Sequence, residues 1–102
     1  MHLDLGFNMI NGIFPYDEIN SLVNLKTLSL AYNNLTGELV PFAFDQLVDL
    51  EMIRLDYNML SGSLPSFSSF PKLVSLDLSN NFFGSLLIMM RNISVVRFHL
   101  LF

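Results

Sequence analysis

The sequence of 102 residues contains no cysteine and no tryptophan, and charged residues make up only 14% of it. Without cysteine, the chain has no disulfide, no thiolate metal site and no cysteine nucleophile. Five lysines and arginines stand against nine aspartates and glutamates, which gives a net charge of −4. Because no basic cluster is present, nucleic acid and anionic membrane surfaces are not expected partners.

Export signals and membrane spans are also absent from the sequence. The start, Met1 to Leu5, has neither the basic nor the apolar segment of a secretory signal. The longest uninterrupted apolar run extends from Leu86 to Met90, whereas a spanning helix needs about 18 residues. Hydrophobic residues nevertheless make up 52% of the chain. We therefore expect a packed structure that is one small domain or part of a larger one.

What the sequence does contain is an internal repeat, marked by four asparagines. Asn8, Asn33, Asn58 and Asn81 are spaced by 25, 25 and 23 residues. Each follows Leu-x-Leu or Ile-x-Leu by three positions, a period-2 pattern that predicts a strand with one buried face. The Leu-x-x-Leu or Phe-x-x-Leu motif before it predicts a short helical turn. We expect the asparagine amides to form a ladder that satisfies backbone groups where each strand ends.

A coil of about two dozen residues cannot enclose a core alone, so successive coils must stack. The predicted fold is an α/β solenoid over residues 1–102, a right-handed superhelix with a parallel sheet on its concave face. It has about four repeats and a partial fifth. Both ends are apolar, at Leu3 and at 99–102, which predicts poor solubility for the isolated chain.

The repeated frame, L-x-x-L-x-x-L-x-L-x-x-N-x-L-x-G-x-L-P, resembles the plant-specific leucine-rich repeat. The segments 76–81 (Leu-Asp-Leu-Ser-Asn-Asn) and 34–39 (Asn-Leu-Thr-Gly-Glu-Leu) carry the resemblance best. The resemblance implies a non-catalytic recognition module from the ectodomain of a receptor-like protein or receptor-like kinase. It also implies signalling or defence at the extracellular face of the plasma membrane, with an extracellular peptide or protein ligand and a co-receptor kinase as partners. Family ectodomains usually have more repeats and cysteine-bearing caps, so an uncapped fragment is expected.

Two other interpretations stay open at this stage. The chain could belong to a secreted inhibitor of a pathogen cell-wall hydrolase, similar to polygalacturonase inhibitors and located in the apoplast. It could also be a truncated product without independent function.

Catalytic chemistry is not expected. The two histidines, His2 and His99, lie on predicted strands four coils apart. At about 4.8 Å per stacked strand, roughly 19 Å separates them, too far for one metal site or one catalytic dyad. The glycines form neither a G-x-G-x-x-G nor a Walker motif. We therefore expect no enzyme activity, no metal and no cofactor in this chain.

The outward positions of the predicted strands form two columns across the coils. The first column contains Asp4, Ser29, Arg54 and Asp77. In it, Arg54 and Asp77 are neighbours and predict an exposed salt bridge or, alternatively, a ligand contact. The second column precedes the ladder and contains Phe7, Tyr32, Tyr57 and Asn80. Its aromatic residues are either a recognition strip or a cover for the strand-to-turn corner.

The remaining candidates are glycan acceptors and surface acids. The two sequons, at Asn34 and Asn92, are no enrichment over the roughly 1.3 expected by chance, and their predicted positions point outward. The other acids predict a solvated convex face: Asp17, Glu18, Asp45, Asp49 and Glu51. The abundant phenylalanine and methionine are interpreted as core filling.

Overall fold

The computed structural model describes residues 1–39, 44–62, 71–83 and 97–99. The strands in these ranges alternate between two sides of the coil. They are β1 (His2–Asp4), β2 (Asn11–Ile13), β3 (Thr27–Ser29), β4 (Asn34–Glu38), β5 (Met52–Arg54), β6 (Met59–Gly62), β7 (Ser75–Asp77), β8 (Phe82–Phe83) and β9 (Arg97–His99). Within the described residues there is one helix, α1 (Tyr16–Asn20), and none there is long and apolar enough to span a membrane.

The odd-numbered strands form a parallel sheet of five strands in the order β1-β3-β5-β7-β9. Equivalent positions of the repeat lie side by side, so that Leu28 pairs with Ile53, and Ile53 with Leu76. All three side chains are fully buried, because alternate residues of a strand point to opposite faces. The sheet and its register confirm the predicted leucine-rich solenoid with a parallel sheet on the concave face.

The even-numbered strands form a second parallel sheet, in the order β2-β4-β6-β8, which the sequence pattern did not predict. Residues 23, 23 and 21 apart pair in this sheet, as Asn11 does with Asn34. In the first sheet the corresponding separations are 25, 25 and 23. In the second sheet the paired residues are therefore two positions closer in sequence than in the first sheet, at each of these three steps between coils. The ladder asparagine lies between the two sheets.

The glycine of the repeat belongs to this second sheet and has a conformation that other residues rarely adopt. Gly12, Gly37 and Gly62 have φ of 94°, 89° and 84°, the left-handed region that a Cβ disfavours. At Gly62 a Cβ would also lie 2.8 Å from the Cβ of Glu38 on the neighbouring strand. Glycine is thus favoured at all three positions by the positive φ, and at Gly62 also by the close approach of the adjacent coil.

Leucines from every described coil fill the interior, together with Phe14 and Phe44, whose rings meet edge to face at 5.6 Å. The Leu-x-x-Leu motif forms a hydrogen-bonded turn, as predicted. The amide of Leu25 donates to the carbonyl of Leu22 at 3.0 Å, and the same bond recurs one coil later at residues 47–50.

The interpretation of phenylalanine and methionine as core filling was wrong for Met1, Met9, Met59 and Phe82, which are exposed by 53%, 88%, 43% and 69%. The last three flank a ladder asparagine, where the chain turns between the two sheets and the adjacent side chains point to solvent. Phe7, which the second outward column had placed at the surface, is exposed by 74%. Sequence composition alone does not distinguish these corner positions from the core.

The ladder asparagines bind backbone groups of two coils at once. The Asn58 side-chain amide donates to the carbonyls of Leu55 and Asp56 in its own coil and to Leu30 in the preceding one, over 2.9 to 3.4 Å. Its Oδ1 accepts the amide N–H of Leu35, also in the preceding coil, at 3.1 Å. One side chain therefore closes its own turn and fastens that turn to its neighbour.

The same four contacts recur at the flanking repeats. Asn33 donates to the carbonyls of Leu5, Leu30 and Ala31 and accepts from Ile10. Asn81 repeats the pattern with Leu55, Leu78, Ser79 and Leu60. Asn8 makes only the local bonds, to Leu5 and Gly6, and is exposed.

We expect Asn58→Ala to lower the free energy of unfolding by about 3 kcal/mol, because buried carbonyls and the Leu35 amide lose their partner. Asn8→Ala is the matched control, since it removes an exposed side chain with local bonds only, and should cost less than about 1 kcal/mol. Urea unfolding followed by circular dichroism measures both. Equal losses for the two variants would contradict the role assigned to the inter-coil bonds.

Candidate functional site

One backbone feature recurs after β1, β3, β5 and β7 of the concave sheet. Phe7, Tyr32, Tyr57 and Asn80 all have φ of 57° or 58°, which is uncommon for a large side chain. Each directly precedes a ladder asparagine, and the bonds of that asparagine to the preceding carbonyls hold the turn in place. The conformation directs the side chain out of the coil, at the edge of the concave face.

Phe7, Tyr32 and Tyr57 stack on one another in what we term the aromatic strip. Ring centroids lie 4.2 Å and 4.3 Å apart, with interplanar angles of 11° and 13°, close to the strand spacing of about 4.8 Å. The residues are exposed by 74%, 37% and 45%. Because the stacked faces cover each other, the strip presents ring edges and hydroxyl groups to solvent.

The surroundings of Tyr32 raise the pKa of its hydroxyl group. Partial desolvation raises this pKa above its ordinary value, and the adjacent Tyr57 hydroxyl and the charge of Asp56 raise it further. A tyrosine hydroxyl is protonated at neutral pH in any case, so the Tyr32 hydroxyl can donate a hydrogen bond.

The first predicted column also exists, since Asp4, Ser29, Arg54 and Asp77 pair in register across β1, β3, β5 and β7. We call it the acidic column. It runs beside the aromatic strip, three residues earlier in each coil. Among its members Ser29 is buried, whereas Arg54 and Asp77 are half-buried and Asp4 is exposed.

The predicted salt bridge between Arg54 and Asp77 was wrong. Arg54 Nε and Nη2 donate instead to the two carboxylate oxygens of Asp56, at 3.2 Å and 3.0 Å. Asp56 is only 2% exposed and lies two residues further along the same strand face. A buried carboxylate without a cation is more costly than the half-buried Asp77 carboxylate, so Arg54 pairs with Asp56. Asp77 Oδ1 accepts from the amide and the hydroxyl of Ser79.

Asp56 is the residue of this surface that the sequence analysis missed. It directly precedes Tyr57 and continues the outward alternation from Arg54, a signal that the sequence does contain. Its hydrogen bond is the largest contribution that raises the pKa of Arg54. Asp4, Asp56 and Asp77 carry three negative charges and Arg54 one positive charge, so these four residues have a formal charge of −2.

The histidines lie at opposite edges of the first sheet, His2 on β1 and His99 on β9. His2 is two residues before Asp4 on the same strand, and His99 pairs in register with Asp77. Asn34 is exposed at the start of β4, and Asn92 lies outside the described residues. Over residues 1–39, 44–62 and 71–83, no group of three or more histidine, aspartate or glutamate side chains is placed to hold a metal ion.

The predicted convex acids differ in solvent exposure and in pairing, although all were expected to be solvated. Asp17, Glu18 and Asp45 are exposed, but Glu51 is half-buried. Asp49 is bound by Lys72 at 2.8 Å, and that hydrogen bond lowers the pKa of the Asp49 carboxyl.

The family comparison agrees with this geometry. The leucine rich repeat family matches residues 1–60 and again residues 23–83. The chain belongs to the leucine-rich repeat family. A comparison with curated protein sequences gave no match.

Among solved structures, this leucine-rich repeat chain is similar to the LRR ectodomain of the plant membrane receptor kinase GASSHO1/SCHENGEN3 from Arabidopsis thaliana. That crystal structure is a complex with CASPARIAN STRIP INTEGRITY FACTOR 2. The two share 28% sequence identity and a TM-score of 0.59, and the alignment covers 80% of this chain. The chain spans 13% of the length of that ectodomain.

We expect Arg54→Ala to lower the free energy of unfolding by about 1 to 2 kcal/mol, because it leaves the buried Asp56 carboxylate without its cation. The half-exposed position of Arg54 keeps the loss below that of a fully buried pair. Lys72→Ala, which breaks the exposed pair with Asp49, should leave the urea midpoint close to that of the unmodified chain. Indistinguishable midpoints for the two variants would contradict this account of Arg54.

Proposed function

We propose that this chain is a recognition segment of a plant receptor-like ectodomain, and that its concave face binds an extracellular peptide or protein. The single observation that carries the proposal is the aromatic strip, three stacked rings held at the edge of the concave sheet with their edges exposed. A soluble surface rarely keeps large aromatic side chains aligned in this way without a partner.

The surroundings of the strip support a binding role. Each ring is fixed by a positive φ and by its stacked neighbour, so little side-chain freedom is lost when a ligand covers it. Hydroxyl groups of Tyr32 and Tyr57 add hydrogen-bonding capacity at the same place. At protein interfaces, a few residues contribute most of the binding energy, and these are enriched in tyrosine, tryptophan and arginine.

Similarity to the GASSHO1/SCHENGEN3 ectodomain supports the cellular setting. That protein is a membrane receptor kinase whose ectodomain was crystallised with a bound factor. By analogy, we place this chain on the extracellular face of the plasma membrane, within a longer protein that signals or acts in defence, with a co-receptor kinase as a further partner. We infer that the segment itself is non-catalytic, since its distinctive residues form a surface suited to contact.

The test is a selection of random displayed peptides with the full 102-residue chain as bait. We expect enriched peptides that bind the chain and lose at least tenfold in affinity when Tyr32 and Tyr57 are both changed to Ala. Val23 and Val48 provide the matched control. They are also exposed apolar residues one coil apart, and they lie in the turns before the concave strands.

Changing Val23 and Val48 to Ala should leave the enriched peptides bound. Circular dichroism melting of each variant verifies that it is folded. Peptides that bind the Tyr32 and Tyr57 double variant as tightly as the unmodified chain would contradict the proposal, as would a selection that enriches nothing.

A further inference from the structure

We term the band of concave surface between the acidic column and the aromatic strip the track, and it crosses β1, β3, β5 and β7. On one side it is bordered by the stacked rings of Phe7, Tyr32 and Tyr57. On the other side it is bordered by the acidic column, three residues earlier in each of these coils. A chain lying along this track would contact apolar rings on one side and charged groups on the other.

From β1 to β7, the acids of the track without a cationic partner are Asp4 and Asp77. Between them, Arg54 is held by the carboxylate of Asp56 in a two-bond pair, which is formally neutral. Asp4 Oδ1 accepts the Gly6 amide and Asp77 Oδ1 accepts from Ser79, neither of which is a cation. The track therefore attracts positive charge at Asp4 and at Asp77, and the neutral pair between them does not.

The separation of the two ends matches the geometry of an extended peptide. Asp4 and Asp77 are three strand steps apart in the first sheet, which is about 14 Å at 4.8 Å per step. Four residues of extended chain also span about 14 Å, and residues four apart point to the same side. The residues directly before and after the central one point to the opposite side.

We propose that the track binds an extended peptide with two lysines or arginines four residues apart and apolar residues at the second and fourth positions. The two cations contact Asp4 and Asp77, the apolar side chains cover the ring edges, and a small neutral residue lies opposite Ser29 and Arg54. This inference rests on the proposed function and names the class of ligand for the same surface.

Three synthetic peptides test it, each eight residues long with identical flanks. The first contains Lys-Val-Ser-Val-Lys, the second has both lysines replaced by glutamate, and the third rearranges the first as Lys-Val-Lys-Val-Ser. Fluorescence anisotropy with the full chain should give a Kd for the first peptide at least tenfold lower than for the second. It should also be severalfold lower than for the third, whose second lysine lies opposite the neutral Arg54–Asp56 pair and does not reach Asp77.

The charge contribution is isolated by changing Asp4 and Asp77 to Asn, which keeps an oxygen acceptor for the Gly6 and Ser79 amides. In this double variant we expect the preference for the first peptide over the other two to fall to less than twofold. A preference that survives the change, or equal Kd values for the first and second peptides with the unmodified chain, would overturn the inference.

Failure of this inference is distinguishable from failure of the proposed function. Peptides that bind regardless of charge, but lose affinity in the Tyr32 and Tyr57 double variant, refute the cationic ligand and leave the recognition surface supported. Peptides whose affinity is insensitive to both double variants refute both.

Discussion

The side-chain amide of the ladder asparagine is the interaction on which the rest of this structure depends. A coil that turns from one parallel sheet into another leaves backbone carbonyls and amides that neither sheet can pair. Asn33, Asn58 and Asn81 satisfy these groups with three donated bonds and one accepted bond each, and every set includes the preceding coil. The same asparagine side chains thus close each turn and hold adjacent coils together.

The candidate binding surface is a consequence of that turn. The residue before each ladder asparagine takes a positive φ because the asparagine holds the carbonyls on both sides of the strand end. The repeat of this conformation in consecutive coils brings the rings of Phe7, Tyr32 and Tyr57 into contact at 4.2 to 4.3 Å. A structural requirement of the backbone therefore positions the side chains of the surface that we propose for recognition.

The sequence was sufficient to predict the features that follow from spacing. Asparagines 25 and 23 residues apart predict the stacking, the register of the concave sheet, and the two columns that contain Arg54 and Tyr57. The second sheet was missed because its strands contain glycine at residues 12, 37 and 62, a residue that period-2 patterns score as a strand breaker. The predicted partner of Arg54 was wrong because repeat spacing shows which residues are neighbours but not which are buried. Burial of Asp56 determines that its carboxylate, and not that of Asp77, pairs with Arg54.

The most direct test of the central role of the ladder is amide hydrogen exchange of the full chain, measured by nuclear magnetic resonance. The amides of Ile10, Leu35 and Leu60 donate to asparagine side chains. We predict that all three are protected as strongly as the amides of the concave strands β3 and β5. Exchange of these three amides at the rate of an unfolded chain, while the strand amides remain protected, would contradict the account.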